Sequence, residues 1–465
     1  MKRFTLVLIT CAFTFAATGA TFAQTRIPRI NFHERTLANG LHVLSVVDKS
    51  SPTVAINVWY HVGSKDDPEH RSGFAHLFEH IMFKSTKNMK AEMMDRLTED
   101  VGGNNNAFTQ DDVTVYYEVI PSNYLETLLW AEAERLASLT VDEENFKSER
   151  AVVQEEFRQS VLAPPNGRFF YALDQKSFNE HPYKRPTIGS IEDLDAATIA
   201  DVIKFHNTYY RPENATLIVV GDFDQQQLDT WVDKYFGAIP KPNLPLPRVN
   251  VVEPPRAVGN RFMVYAPNVP LKGVAFTYLV PSEKSDDAAT LTIADMLLSQ
   301  GRSSRLYQSL VYQQQLAANI NANAALREDV GLFMLTAFVA NGKKPEDVEA
   351  SLNAEIKKLQ DTLVPAAELE KAKNQIVTRQ LRQRETSLGQ SQALGRAAVL
   401  LGDPSRVNTE LDRLQAVTAA DVQRVAQKYF TENNRYVFYY LPESERPKDS
   451  TSGVLSTAAK GGASR

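Results

Sequence analysis

TIADVIKFHNTYYRPEN, Thr198 to Asn214, and TAADVQRVAQKYFTENN, Thr418 to Asn434, lie 220 residues apart and align without a gap. Each is followed by a run that reads as a strand. Upstream of the second copy, Gly273 to Val280 and the helical pattern at Ala288 to Leu298 echo the strand at Val54 and the helix carrying His76. Two amphipathic helices can match by chance, but the shared position in each half and the shared flanking elements mark a tandem duplication. Nearer the N-terminus, Asn39-Gly40 opens a strand from Leu41 to Val47, and a second strand runs from Val54 to Val62. Helical periodicity covers Gly73 to Lys84, Asn123 to Leu139 and Glu143 to Val161, and strand character returns at Thr216 to Val220. The expected fold is α+β, built from two tandem homologous α/β domains. Between them Pro240, Pro242, Pro245, Pro247, Pro254 and Pro255 rule out a helix or central strand, so 239–258 reads as a linker. The domains are then 24–238 and 259–445, followed by a Ser-, Thr-, Gly- and Ala-rich tail, 446–465, expected to be disordered.

A length of 465 residues exceeds what one core supports, roughly 250 to 300 residues, so more than one domain is required. Hydrophobic residues at 43% and charged residues at 23% exclude a disordered chain or a multi-span membrane protein. A net charge of -5 offers no basic field for a phosphate backbone, which argues against a nucleic-acid partner and favours peptides or small molecules. Residues 1–23 differ from the rest: Lys2 and Arg3, an apolar run from Phe4 to Phe15, then Thr21-Phe22-Ala23 before Gln24. This is the pattern of a cleaved secretory signal peptide, and Thr14, Thr18 and Gly19 dilute it too far for a stable membrane anchor. A periplasmic or secreted protein is expected. Cys11, the only cysteine, lies in the leader, so the processed chain has no thiol and no disulfide; Leu8-Ile9-Thr10 is a poor context for lipid attachment there.

All eight histidines fall at or before His206, so chemistry that needs imidazole belongs to the first half. His76-Leu77-Phe78-Glu79-His80 lies in the helix that begins near Gly73. At ~100° per residue, His76 and His80 are ~40° apart and Glu79 is ~60° to the other side of His76. Two imidazoles one turn apart can chelate Zn²⁺, and a carboxylate beside them can serve its water without being a ligand. The H-x-x-E-H spacing is a zinc-peptidase signature. His61 and His70 lack partners at helical spacing and read as surface or packing residues. A hydrolytic zinc needs a third protein ligand and an open position. The helix Glu143 to Val161 offers Glu149, Glu155 and Glu156. With Phe146 at 0°, Val153 at ~340° and Phe157 at ~20° define the buried stripe, and Glu155 points to solvent at ~180°. Glu156 at ~280° and Glu149 at ~300° border that stripe two turns apart. Glu156 is the expected ligand and Glu149 a group that orients one; the plain alternative is a pair of solvated helix charges.

GFAHLFEHIMF, GGNNNAFTQDDVTVYYEV and SERAVVQEEF closely resemble the pitrilysin/insulinase family of inverted zincins, which includes the mitochondrial processing peptidases, notably their beta subunit, and bacterial two-domain relatives. The likeness covers nearly the whole chain after the leader. It implies one Zn²⁺ per chain on His76, His80 and Glu156, Glu79 as general base and Glu149 as its supporting glutamate. It also implies two domains facing across a chamber, and an edge strand at Asn106, Ala107 and Phe108 on which a peptide lies extended, with Asn106 bonding a peptide group. In many relatives an Arg and, seven residues later, a Tyr from the second half hold substrate over the zinc; here those positions are Val311 and Ala318. The expectation is a zinc endopeptidase acting as catalytic subunit of a heterodimer, whose sibling subunit supplies the Arg and Tyr. The alternative is a non-catalytic peptide-binding or assembly subunit. A mitochondrial subunit is disfavoured, because the leader is apolar rather than Arg-rich.

Overall fold

A computed structural model describes residues 28–448. The leader with Cys11, and the tail beyond residue 448, lie outside the described residues. No helix among the described residues is long and apolar enough to cross a membrane.

The first half forms a six-stranded sheet from β1 (His33–Thr36), β2 (His42–Val47), β3 (Thr53–Tyr60), β4 (Asn104–Thr109), β5 (Thr114–Pro121) and β6 (Ala215–Gly221), in the order β1-β2-β6-β3-β5-β4. The second half forms a five-stranded sheet from β7 (Asn260–Ala266), β8 (Gly273–Pro281), β9 (Ala317–Ala325), β10 (Val330–Val339) and β11 (Arg435–Pro442), in the order β7-β11-β8-β10-β9. Without the β1 hairpin the two orders superpose strand for strand. Each sheet also has one parallel pair in the same place, β2 with β6 and β7 with β11. The duplicated segments behave alike: Ile199–Tyr209 and Ala419–Tyr429 are helices whose capping boxes pair Thr198 with Asp201 and Thr418 with Asp421. Each helix feeds a strand inside its sheet, and β6, ATLIVVG, is buried at every position.

Helices cover one face of each sheet and make the two main cores. The opposite faces are covered by exchange. The helix Gly167–Ser177 of the first half lays Phe169 and Leu173 on Ala275, Phe438 and Tyr440 of the second sheet. In return, Ser387–Gly395 and the π-helical turn Arg396–Leu400 place Leu394, Ala397 and Leu400 on Trp59, Val115 and Ile218 of the first sheet. Gly395 is required at this crossing, since a Cβ there would lie 2.3 Å from the Trp59 ring. Asn57 Nδ2 donates to Ser391 Oγ across the same contact (2.7 Å).

The stretch 239–258 contains no helix or strand and is strapped down by its own charges. Glu253 accepts from the backbone N–H groups of Asn179, Glu180 and His181, and Arg256 donates to the carbonyls of Thr277 and Asn434. A second tie between the halves is the β9–β10 turn, where Glu328 pairs with His61 (2.7 Å) and Lys65 (2.8 Å). His61 is therefore an inter-half contact, invisible to helical spacing because its partner lies 267 residues away.

Candidate metal centre

The His76 helix spans Phe74–Ile81, shorter at both ends than its periodicity suggests. Gly73 precedes it at φ 95°, a left-handed conformation that favours glycine, and a Cβ there would meet Gly189 Cα at 3.0 Å. Phe74, Ala75, Leu77, Phe78 and Ile81 are buried, which turns His76, Glu79 and His80 to the open side. The buried Asp67 carboxylate accepts from the Gly73 and Ala75 N–H groups (2.7 and 2.8 Å), satisfying donors that the first turn leaves unpaired. Burial pushes Asp67 up to about 7, opposed by those bonds and by Arg185. The second helix, Glu143–Phe157, starts on Asp142, whose side chain accepts from Asn145 N, and continues as a π-helical turn over Arg158–Leu162. Phe146, Val153 and Phe157 are its buried stripe, Glu155 is exposed, and Glu156 and Glu149 face the His76 helix.

The three expected ligands converge. Glu156 Oε2 is 3.6 Å from His76 Nε2 and 3.5 Å from His80 Nε2, and one donor atom from each residue lies within 4.8 Å of the others. Bonds of about 2.0 to 2.1 Å to a tetrahedral zinc place its ligand atoms ~3.3 Å apart, so this donor set fits the ion by spacing and by chemistry. The charge pattern agrees. Burial, with His80 beside it, lowers His76 to about 4 against the pull of Glu156. Burial also disfavours a charged His80, but Glu149 and Glu156 prevail and raise it to about 9. The carboxylates of Glu149 and Glu156 thus favour positive charge on His80.

Glu79 stands beside the cluster rather than in it. Its Oε2 accepts from Thr109 Oγ1 (2.6 Å), and burial raises its pKa, with Thr109 opposing. Glu149 is 8% exposed, with Oε1 2.9 Å from Lys84 Nζ and Oε2 3.6 Å from His80 Nδ1. Despite burial, His80 and Lys84 hold its pKa down. Lys84 lies four residues after His80 but beyond the end of the helix at Ile81, and Asp67 caps the helix from a preceding loop, so helical spacing points to neither partner. Thr109 shares a strand face with Ala107, and period-2 alternation aims both at the His76 helix. The same alternation turns Asn106 and Phe108 to the other face. Asn106 is exposed, its Oδ1 accepting from Ala107 N (2.8 Å), and Phe108 packs edge-on against Trp59 at 6.1 Å. What β4 presents beside the His76–His80–Glu156 cluster is its outer backbone edge, since it pairs with β5 alone.

Residues 42–190 match the family model Insulinase (Peptidase family M16), and residues 196–376 match Peptidase M16 inactive domain. The "Zinc protease PqqE" of Helicobacter pylori is 31% identical over 432 residues, covering 90% of this chain and 94% of that protein. The chain belongs to the M16 peptidase family. A "Probable mitochondrial-processing peptidase subunit beta" of Arabidopsis thaliana is 24% identical over 420 residues, 89% of this M16 chain and 78% of that one. A solved structure, "a protease from Helicobacter pylori", superposes with a TM-score of 0.86 at 30% identity, covering 90% of this chain and all of that one. Membership makes this a metallopeptidase-family protein of two tandem M16 domains. The His76–His80–Glu156 cluster lies within the match to the first model, and most of the match to the second falls on the half without histidine after His206.

Proposed function

We propose that this chain is a zinc-dependent endopeptidase. The observation that carries the proposal is the meeting of His76, His80 and Glu156 at ligand spacing beside a buried Glu79 that is not itself a ligand. His76, His80 and Glu156 would hold one Zn²⁺ per chain, and a bound zinc supplies Lewis-acid chemistry that makes water acidic near pH ~7. Glu79 takes the proton of the attacking water and returns it to the leaving amine; burial suits it to both steps by raising its proton affinity. Thr109 aims the carboxylate, and Glu149 orients His80. An extended peptide adds to the free edge of β4, where backbone pairing accepts many sequences. Asn106, Ala107 and Phe108 then serve chiefly through their backbone.

Val311 and Ala318 occupy the places of the Arg and Tyr found in many relatives, so a sibling subunit supplies that pair and the working enzyme is a heterodimer. The segment 1–23 directs the chain to the periplasm or the exterior. The same two positions favour one second reading, a non-catalytic peptide-binding or assembly subunit. Glu79→Gln separates them. It retains zinc and lowers cleavage of quenched peptides by at least about 10²-fold, and chelator abolishes wild-type cleavage. Near-normal turnover in Glu79→Gln defeats the role of the base. No cleavage by the wild-type chain, alone or with the native partner that co-purifies, favours the assembly reading.

A further inference from the structure

We infer that the β9–β10 turn of the metal-free half, Arg327 to Asp329, is a positioning device for Glu79, so that the second domain sets the geometry of the first domain's base. This inference rests on the peptidase reading above. The turn grips two segments of the first half. One is the β4–β5 turn, directly after Thr109: the Arg327 guanidinium donates to Asp111, and Glu328 N donates to Asp112 Oδ2 (3.1 Å). The other is the loop that leads to the His76 helix: Lys65 Nζ lies 2.8 Å from Glu328, 3.1 Å from Asp329 and 2.9 Å from Asp112.

The two gripped segments are also bound to each other. Ser64 N donates to Gln110 O (3.1 Å) and Lys65 N to Asp111 O (3.0 Å). They approach so closely at Gly63 that a Cβ would lie 2.4 Å from Gln110 O. Lys65 is 6% exposed and Asp112 4%, so these ions are held out of water and depend on one another. Tyr183 adds a bond to Asp112 Oδ1 (2.5 Å), and Asp174 lies 3.9 Å from Arg327.

Each gripped segment ends on the catalytic apparatus. Two residues before Asp111, Thr109 bonds Glu79; two residues after Lys65, Asp67 caps the His76 helix. A shift of the turn therefore reaches Glu79 from both sides without touching a metal ligand. Arg327, Glu328 and Lys65 are positioning residues on this account. It gives the metal-free domain a task inside its own chain, separate from any residue that a partner contributes.

The test is a double-mutant cycle between Arg327 and Thr109 in the zinc-loaded full chain, with any native partner present, read as kcat and KM on one quenched peptide. Thr109→Val removes the bond to Glu79 and lowers kcat by about 10- to 10²-fold. Arg327→Met lowers kcat by about 10-fold or more in the wild-type background, leaves KM and one zinc per chain unchanged, and adds no further loss to Thr109→Val. A merely structural role gives independent, additive losses, and that result overturns the inference. Wild-type kcat in Arg327→Met, or in Thr109→Val while Glu79→Gln is dead, overturns it too. If Glu79→Gln itself keeps full turnover, the peptidase mechanism fails and the inference falls with it. Should Arg327→Met fail to fold, Asp111→Asn breaks the same contact from the other side and is read by the same cycle.

Discussion

Replacing Glu149 with Ala isolates what a buried carboxylate does for the neighbouring His76–His80–Glu156 cluster. Its Oε1 is 2.9 Å from Lys84 Nζ, and its Oε2 is 3.6 Å from His80 Nδ1. Two losses follow. Breaking a buried ion pair by removing one partner costs about 3 to 5 kcal/mol; Lys84 is 19% exposed and can turn toward water, which brings the expected cost to about 1 to 3 kcal/mol. Losing the carboxylate that orients a histidine lowers zinc affinity by about 10- to 100-fold, or roughly 1.4 to 2.7 kcal/mol. Competition against a chromophoric chelator measures the affinity, and chemical denaturation of the metal-free protein measures the stability. Adding Lys84→Met removes the stranded cation, so it recovers stability but not affinity. A zinc affinity within about threefold of wild type in Glu149→Ala would refute the orienting role, since that lies below the range such contacts command.

The exchanged helices make two further substitutions expensive. Gly395→Ala drives a methyl into Trp59 and lowers stability by about 1 to 3 kcal/mol, and Phe169→Ala empties the pocket over the second sheet at about 3 to 5 kcal/mol; unchanged denaturation midpoints would contradict the exchange. For the metal-free protein, His80 is raised to about 9, so its contribution to stability is full below the ordinary histidine value of 6.5 and is lost as pH rises through about 9. Zinc binding at neutral pH must therefore expel about one proton, and titration calorimetry should give a heat that varies with the ionisation enthalpy of the buffer. A buffer-independent heat counts against a protonated His80.

What could be read along the chain was whatever depends on spacing within one element. The ~100° step puts His76, Glu79 and His80 on one face, and the stripe of Phe146, Val153 and Phe157 singles out Glu156 and Glu149 from Glu155. Thr198 and Thr418 mark the same capped helix twice, and the repeat of the sheet follows from that duplication. Thr109 was within reach, because alternation from Ala107 leads to it, but nothing along β4 says that Glu79 waits opposite.

Other features are set by contacts between residues far apart in the chain. Gly167–Ser177 is an amphipathic helix by pattern, whereas Ser387–Gly395 shows almost no apolar stripe; that each covers the other half's sheet depends on the apolar faces those sheets present. His61 gains its meaning from Glu328, and Lys65 from three carboxylates on two distant turns. The sequence by itself determined the periodic elements, their duplication and which of His76, Glu79 and His80 share a helix face, because those follow from backbone geometry repeated every turn or every second residue. Only the tertiary structure decided which half covers which sheet and what holds Glu79 in place, because burial energy and ion pairing act between surfaces that meet only when the chain is folded.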